Sequence, residues 1–206
     1  FEHNHFGAYS FGASGIMWKD NLFTKNEVYG LDPHDDSNNA LIVGNRFLYN
    51  GKHGFIVSKR CNFNIIRNNT SVGNKLHGFM LHEDSAYNVI ENNVSYDNVD
   101  NFVIYGSNWD MIRNNVSYAP RKTHVRVNAN AHNTYIVGNE FYGGSRGIYL
   151  YDGAATTYIR DNKFPGVGRP LHTKGAKNTF FGDNKTPSYD FKIRPGDSVI
   201  FGKNVT

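Results

Sequence analysis

Three segments of the chain repeat one pattern: 65–74 (IIRNNTSVGN), 89–98 (VIENNVSYDN) and 111–120 (MIRNNVSYAP). In each of them an isoleucine precedes an asparagine by three positions. This asparagine belongs to a series with steps of 24, 24, 24, 22, 24, 23 and 22 residues, formed by Asn21, Asn45, Asn69, Asn93, Asn115, Asn139, Asn162 and Asn184. A regular period of this length indicates an array of stacked units.

The period selects the kind of unit. It is too short for a helical hairpin, and no segment has the 3.6-residue spacing of a helix. Short strands joined by turns fit it, which predicts an all-β fold, a right-handed parallel β-helix (solenoid) of about eight coils with a period of about 23–24 residues. With strands about 4.8 Å apart, the rod is roughly 35 Å long.

The recurring asparagine has a structural role in this fold. Turns inside the rod leave backbone groups unpaired, and an inward amide offers them both donors and an acceptor. We therefore expect an internal asparagine ladder. Four ladder positions also match the glycosylation pattern, and we expect them to be buried and unmodified: Asn69, Asn93, Asn115 and Asn184.

The repeat divides the chain into two parts. Residues 1–186 are predicted to form the β-helix, which is also the candidate catalytic domain. Residues 187–206 contain Pro187 and Pro195 and break the repeat, with a possible strand at 198–201. Because the end of a solenoid exposes unpaired strand edges, we expect this tail to be a cap.

Composition limits the possible partners and compartments. The 206 residues carry a formal net charge of +4, which is weak support for an anionic partner, and the one cysteine, Cys61, excludes an internal disulfide. There is no apolar run of 18 residues, so no membrane helix is expected. We expect that the protein is a monomer and does not bind nucleic acid. We also expect an extracellular or periplasmic location, with any export signal lying outside the sequence that starts at Phe1.

After a recurring glycine, successive side chains of each strand should point to opposite faces of the sheet, one inward and one outward. One set should point inward: Ala8, Leu31, Phe55, Phe79, Val103, Val125, Ile148 and Leu171. Two columns between them should face solvent: Tyr9, Asp32, Ile56, Met80, Ile104, Arg126, Tyr149 and His172, then Phe11, His34, Ser58, His82, Gly106, Asn128, Tyr151 and Lys174. Exposed aromatic rings beside histidines and charges predict a strip that binds an extended polymer.

Ionisable groups concentrate on this strip in the second to fourth coils. Alternation predicts Asp32, His34 and Asp36 on one outward face, with Pro33 inward. Lys59 and Arg60 follow one coil later. A carboxylate, an imidazole and a guanidinium thus meet within roughly 10 Å, a combination that favours catalysis over surface decoration.

Two segments of this region resemble a known family. Tyr29-Gly30-Leu31-Asp32-Pro33-His34-Asp35 resembles the signature of the mannuronan C5-epimerases, and 53–60 (HGFIVSKR) resembles the next coil of its periplasmic and brown-algal type. The resemblance implies a β-helix that converts β-D-mannuronate to α-L-guluronate within alginate, an anionic polysaccharide.

The resemblance also implies roles for individual residues. Arg60 matches the residue that neutralises the substrate carboxylate, and His34 matches the proposed base. Asp32 would orient His34 or bind the sugar acid. Tyr29 matches the proton donor of some members, although alternation predicts that it points inward. The expected substrate contacts are Asp36, His53, Lys59, His77, His82, Arg126, Tyr9 and Phe11.

Three other functions remain open at this stage. An alginate lyase would use the same base and cation for β-elimination. A polygalacturonase-type hydrolase would need two carboxylates about 6.5–9.5 Å apart, drawn from Asp32, Asp35, Asp36 and Asp84. A non-catalytic carbohydrate-binding β-helix would bind the polymer only. Calcium-binding nonapeptide repeats are lacking, so no cofactor or metal is predicted.

Overall fold

The chain winds into coils of short strands, and these strands form three parallel sheets. Most coils contribute one strand to each sheet. The computed structural model describes residues 1–187 and 190–205. The predicted parallel β-helix of about eight coils is confirmed. Within the described residues, no helix is long and apolar enough to cross a membrane.

The strands are numbered in chain order. The first sheet contains β1 (Ala8–Phe11), β4 (Leu31–His34), β7 (Phe55–Val57), β10 (His77–His82), β13 (Asp100–Tyr105), β16 (Thr123–Asn128), β19 (Arg146–Tyr151) and β21 (Arg169–Lys174). The second contains β2 (Met17–Lys19), β5 (Leu41–Val43), β8 (Ile65–Arg67), β11 (Val89–Glu91), β14 (Met111–Arg113), β17 (His132–Val137), β20 (Ala155–Arg160), β22 (Lys177–Gly182) and β23 (Val199–Phe201). The third contains β3 (Leu22–Thr24), β6 (Arg46–Leu48), β9 (Thr70–Val72), β12 (Val94–Tyr96), β15 (Val116–Tyr118) and β18 (Glu140–Tyr142).

The core consists of apolar columns that run along the rod. In the first sheet, the inward column is Leu31, Phe55, Phe79, Phe102, Val125, Ile148 and Leu171, all fully buried. Equivalent residues of successive coils are paired directly, so each side chain stacks on the next. This continuous contact is what a single short coil cannot provide for itself.

Asparagine ladders line the turns. In the predicted ladder, Asn69 Nδ2 donates to Asn93 Oδ1 over 3.0 Å, and Asn93 Nδ2 donates to Asn115 Oδ1 over 3.0 Å. Among the apparent glycosylation sites, Asn93, Asn115 and Asn184 are fully buried and Asn69 is 1% exposed. Two further ladders, which were not predicted from the sequence, follow the other turns: Asn26, Asn50, Asn74 and Asn98, and Asn64, Asn88 and Asp110.

The register predicted for the fifth coil is wrong by one residue. Phe79 pairs with Phe102 and Met80 with Val103, so Phe102 and Ile104 point inward whereas Val103 points outward. Tyr105, not Gly106, continues the column of His82. The cause is the turn after Asn98, which reaches the strand one residue sooner than the turn after Asn74 does.

The C-terminal stretch continues the solenoid. The expected strand forms as β23, and it pairs in parallel with β22. The Asn184 backbone N–H donates to Asn204 Oδ1 over 3.1 Å, which extends the first ladder by one step. Strand pairing and the asparagine ladder therefore continue beyond Pro187 as a partial ninth coil. The 186/187 boundary and the capping role stay predictions, and Ser188, Tyr189 and Thr206 lie outside the described residues.

Candidate active site

The chain turns sharply at the end of β4. This strand stops at His34, because Asp35 and Asp36 both adopt left-handed backbone conformations, with φ of 32° and 63°. Aspartate tolerates this region better than most residues do. Alternation therefore ends at His34, and the Asp35 carboxylate turns back towards the imidazole: Asp35 Oδ2 lies 2.5 Å from His34 Nδ1.

Asp35 also connects His34 to Arg60. Arg60 lies in the equivalent turn of the next coil, and its Nη2 lies 2.7 Å from Asp35 Oδ1. Its Nε lies 3.2 Å from Asp36 Oδ1. The prediction that Asp36 shares an outward face with His34 is thus wrong, since Asp36 has left the strand and binds Arg60 instead. The structure does bring the His34 imidazole and the Arg60 guanidinium together, as predicted. Both contact the Asp35 carboxylate, for which the sequence predicted no such role.

The charges of this group reinforce each other. Loss of solvent acts to raise the pKa of Asp35, but its hydrogen bonds and electrostatic attraction to His34 and Arg60 outweigh this effect and hold that pKa below its usual value. Asp35 is therefore a carboxylate at neutral pH. An ionised Asp35 favours the tautomer in which His34 Nδ1 carries the proton and Nε2 is left as a free base.

A cavity of about 620 Å³ opens beside His34, lined by Phe6, Tyr9, Tyr29, Asp32 and His34. The Tyr9 ring lies 5.4 Å from the His34 ring. Tyr29 also faces this cavity, so the alternation-based expectation that it points inward is wrong. It precedes the first residue of β4, and Gly30 separates it from the alternating strand. Burial, with the nearby Asp32 charge, raises the pKa of the Tyr29 phenol.

Asp32 points out of the core but is only 2% exposed, because the cavity side chains cover it. Its Oδ1 has no hydrogen-bond partner among the described residues. Burial raises the pKa of Asp32 to about 7; a hydrogen bond with Ser58 opposes the shift and the charge of Asp35 adds to it. The residue in contact with His34 Nδ1 is Asp35, so the expectation that Asp32 orients His34 has no support in these contacts.

The outward face of the first sheet, here called the groove, continues from this cavity along the rod. Its floor is the outward column of Ile56, Met80 and Val103, which are 3%, 6% and 0% exposed. The prediction that Ile56 and Met80 face solvent is therefore wrong, since Tyr29 and Tyr105 pack against this cluster. The result is an apolar floor between two polar ends.

One wall of the groove is a stack of rings. Tyr29 stacks on His53 with 5.2 Å between centroids, and His53 stacks on His77 with 4.9 Å. Burial, together with the positive charges of Arg126 and nearby groups, lowers the pKa of His53 to about 3 and that of His77 to about 2. Both imidazoles are therefore neutral, and His77 Nε2 accepts a hydrogen bond from Arg126 Nη2 over 2.8 Å.

The remaining predicted contacts are spread along the groove. Phe11 and Lys59 are exposed near the His34 end. His82 is half-buried and stacks on Tyr105 with centroids 4.9 Å apart. Arg126 lies further along, paired with Asp100. The substrate-binding assignment of these residues stays a prediction.

Two family models match this sequence. One, the right-handed beta helix region, matches residues 1–95, and the other, described as periplasmic copper-binding protein (NosD), matches residues 50–191, more than half of the chain. The chain belongs to the NosD-type β-helix family. Within residues 1–187 and 190–205, no three His, Cys, Asp or Glu side chains lie close enough to hold a metal ion, so these residues do not fit a copper site. The prediction that no cofactor is needed stays a prediction.

Curated relatives of this family member are mannuronan C5-epimerases. AlgG of Azotobacter vinelandii is 38% identical over 63 residues, which is 30% of this chain and 12% of the relative. The mannuronan C5-epimerase of Pseudomonas putida is 40% identical over 58 residues, which is 28% of this chain and 11% of the relative. The predicted resemblance to the epimerase family is confirmed, over a small part of each relative's length.

Solved structures show that the same fold extends over nearly the whole chain. The periplasmic alginate epimerase AlgG superposes with a TM-score of 0.67 at 23% identity, over 97% of this chain and 47% of that chain. The A-module of the mannuronan C-5 epimerase AlgE6 of Azotobacter vinelandii superposes with a TM-score of 0.69 at 17% identity, over 94% of this chain and 65% of that chain. At these low sequence identities, the structural similarity establishes the fold alone.

Two carboxylates of this region were not predicted from the sequence. Asp35 received no role as the partner of His34, because continued alternation would place it on the opposite face. The pair of consecutive aspartates after Pro33-His34 was an available signal for a turn. Asp100 was missed because of the register error in the fifth coil, for which the 22-residue step from Asn93 to Asn115 was the warning.

Proposed function

We propose that the chain converts β-D-mannuronate to α-L-guluronate at C5 within polymeric alginate. The observation that carries the proposal is the chain of contacts His34–Asp35–Arg60 beside a cavity lined by two tyrosines. This arrangement supports proton abstraction next to a carboxylate. The named relatives support the choice of alginate as substrate.

His34 is the proposed base. With Nδ1 held by Asp35, the lone pair of Nε2 takes the C5 proton, and the C–H bonding electrons move towards the sugar carboxylate. A positioned base of this kind contributes on the order of 10²–10⁴-fold to a rate. Asp35 stabilises the imidazolium that forms.

Arg60 is the proposed cation. Removal of the C5 proton builds negative charge on the substrate carboxylate, and a guanidinium stabilises it through paired hydrogen bonds. Asp35 and Asp36 contact Nε and Nη2 of Arg60, so they fix the direction of the side chain. A substrate carboxylate would then meet a cation that is already oriented.

Tyr29 is the proposed acid. The C5 carbanion must be protonated from the face opposite His34 for the configuration to invert, and the electron pair returns to C5 as the new C–H bond forms. Tyr29 lines the cavity together with His34. Water is the alternative donor, and replacement of Tyr29 by phenylalanine separates the two.

The test is incubation with polymannuronate, followed by proton NMR of the polymer. New guluronate signals are expected, and in D₂O the new C5 position should carry deuterium. His34→Ala should abolish the signals, whereas His132→Ala, an exposed histidine on the second sheet, should not.

Other outcomes identify other functions. Unsaturated chain ends would identify a lyase, and new reducing ends without unsaturation a hydrolase. Binding without any turnover would identify a carbohydrate-binding β-helix. A fully active His34→Ala variant would overturn the assigned base.

The proposed location follows from the substrate. Alginate is a polymer outside the cytoplasm in the proposed reaction, so we place the chain in the periplasm or outside the cell. The NosD family and AlgG, both named as periplasmic, support this. The anionic polysaccharide is the proposed partner, and the monomer stays a prediction.

A further inference from the structure

The outward face of the second sheet carries a continuous apolar column. Strand pairing stacks one residue of each coil on the next, and every member is at least partly exposed. Four coils contribute Met17, Leu41, Ile65 and Val89. The next four contribute Met111, Tyr135, Tyr158 and Phe180. The equivalent column of the third sheet is interrupted by Arg46, Thr70 and Glu140. A large exposed apolar patch is typical of a protein interface.

A stack of exposed rings in the turns borders this column. The Phe63 and Tyr87 rings lie 5.1 Å apart at 4°, and the Tyr87 and Trp109 rings lie 6.2 Å apart at 15°. Both faces of the Tyr87 ring are therefore covered, and its edge is what a ligand would meet. A sugar ring stacks on the face of an aromatic ring, so this stack favours a protein partner over a polysaccharide.

The two halves of the apolar column are complementary in size. The four coils up to β11 present aliphatic side chains, whereas three of the four coils from β14 onwards present aromatic rings. A second copy can lie antiparallel to the first, with a twofold axis between β11 and β14. In that arrangement β8 faces β17 of the second copy and β5 faces β20, so Ile65 meets Tyr135 and Leu41 meets Tyr158. Large side chains then face smaller ones, which allows close packing.

The charges of the neighbouring outward column fit the same arrangement. Glu91 is the one acidic residue of this column within the described part of the chain, and it lies beside the axis. It would face Arg113 of the second copy, whereas Arg67 and Arg160 would face the valines of β17 and β5. No charge of the column then meets a like charge. Within one chain Glu91 Oε2 already lies 2.6 Å from Arg113 Nη2, so two such pairs would join into one network.

We propose that this face binds a second copy of the chain and forms an antiparallel, twofold-symmetric dimer. The face is about 40 Å long and about 15 Å wide, roughly 600 Å² on each copy. Two copies would bury about 1,200 Å², which is at the lower end of stable interfaces. Twofold dimers are also the commonest symmetric assemblies. This dimer replaces the monomer expected from the sequence, and it leaves the groove on the first sheet of each copy open.

The experiment is sedimentation equilibrium over a range of protein concentrations. The parent should reach twice the chain mass of 23.3 kDa, with a dissociation constant on the order of micromolar. Glu91→Arg and Arg113→Glu each bring like charges together across the axis, so each should weaken the dimer on the order of 100-fold. A mixture of the two variants should restore it, because each copy supplies the charge that the other lacks. Glu140→Arg, which breaks the Glu140–Lys163 pair on the third sheet, is the matched control and should remain dimeric.

Disulfide cross-linking tests the orientation of the two copies. Ile65→Cys mixed with Tyr135→Cys should give linked dimers on oxidation, whereas neither variant alone should, since the native Cys61 is buried. Self-linking of Ile65→Cys would indicate parallel copies and overturn the proposed arrangement. A parent that stays monomeric at concentrations on the order of 100 µM would overturn the dimer. A mixture of Glu91→Arg and Arg113→Glu that is no heavier than either variant alone would overturn the charge pairing across the axis, and with it the antiparallel interface.

Discussion

His34 Nδ1 lies 2.5 Å from Asp35 Oδ2, although an uninterrupted strand would direct these neighbouring residues to opposite faces. The contact exists because Asp35 has left the strand with a φ of 32°. The same carboxylate contacts Arg60 in the next coil. One residue thus couples the proposed base to the proposed cation.

Asp35→Asn should lower turnover on the order of 10²-fold, because a neutral amide would neither favour the Nδ1–H tautomer of His34 nor stabilise its imidazolium. Asparagine tolerates the left-handed conformation at this position, so the fold should be kept. Turnover is measured from the guluronate signals, and folding from the circular dichroism spectrum. Asp36→Asn is the matched comparison and should lose less, since Asp36 contacts Arg60 but not His34. Equal losses in both variants would contradict the special role of Asp35.

Tyr29→Phe should lower turnover on the order of 10²-fold if the phenol returns the proton to C5. The phenylalanine ring keeps the stacking on His53, so substrate binding should change little. Tyr158→Phe, on the second sheet, is the control and should have the parent's turnover. Full turnover by Tyr29→Phe would assign the proton to water.

The parent protein should become less stable as the pH rises, and Asp32→Asn should remove this pH dependence. The pKa of Asp32 is about 7 in the folded state against 3.8 for the free side chain, so the folded state keeps a proton that the unfolded state releases. The parent therefore loses stability between about pH 4 and about pH 7, by a few kcal/mol, and the loss is constant above that range. The amide of the variant has no such proton. The free energy of unfolding in urea, measured for both proteins across this range, checks the prediction, and two parallel curves would contradict it.

Asn93→Ala should destabilise the fold by about 3 kcal/mol or more, because it leaves several buried backbone and amide groups without partners. Asn93 donates to the Ile66 carbonyl and to Asn115, and it accepts from Asn69. Asn21→Ala, at the partly exposed start of the same ladder, should cost less. The midpoint of urea unfolding checks both variants, and equal costs would contradict the importance of burial.

The proposed site was predictable in part. The glycine-based alternation correctly placed Asp32 and His34 on the outward face, and the resemblance pointed to Arg60. Alternation failed at Tyr29, at Asp36 and in the fifth coil, which are places where a strand begins, ends or shifts. Alternation predicts the direction of side chains within a strand. No equally simple pattern predicts their direction where a strand begins or ends.

The sequence alone determined the solenoid, because the asparagine period and the apolar columns are local patterns that only stacked coils can satisfy. The tertiary structure decided which side chains meet. The His34–Asp35–Arg60 contacts depend on left-handed turns in two successive coils, and the position of the Arg126 guanidinium depends on Asp100 and His77 of earlier coils. Pairing between coils fixes these positions, and a change of one residue in a single turn moves every side chain of the following strand to the other face.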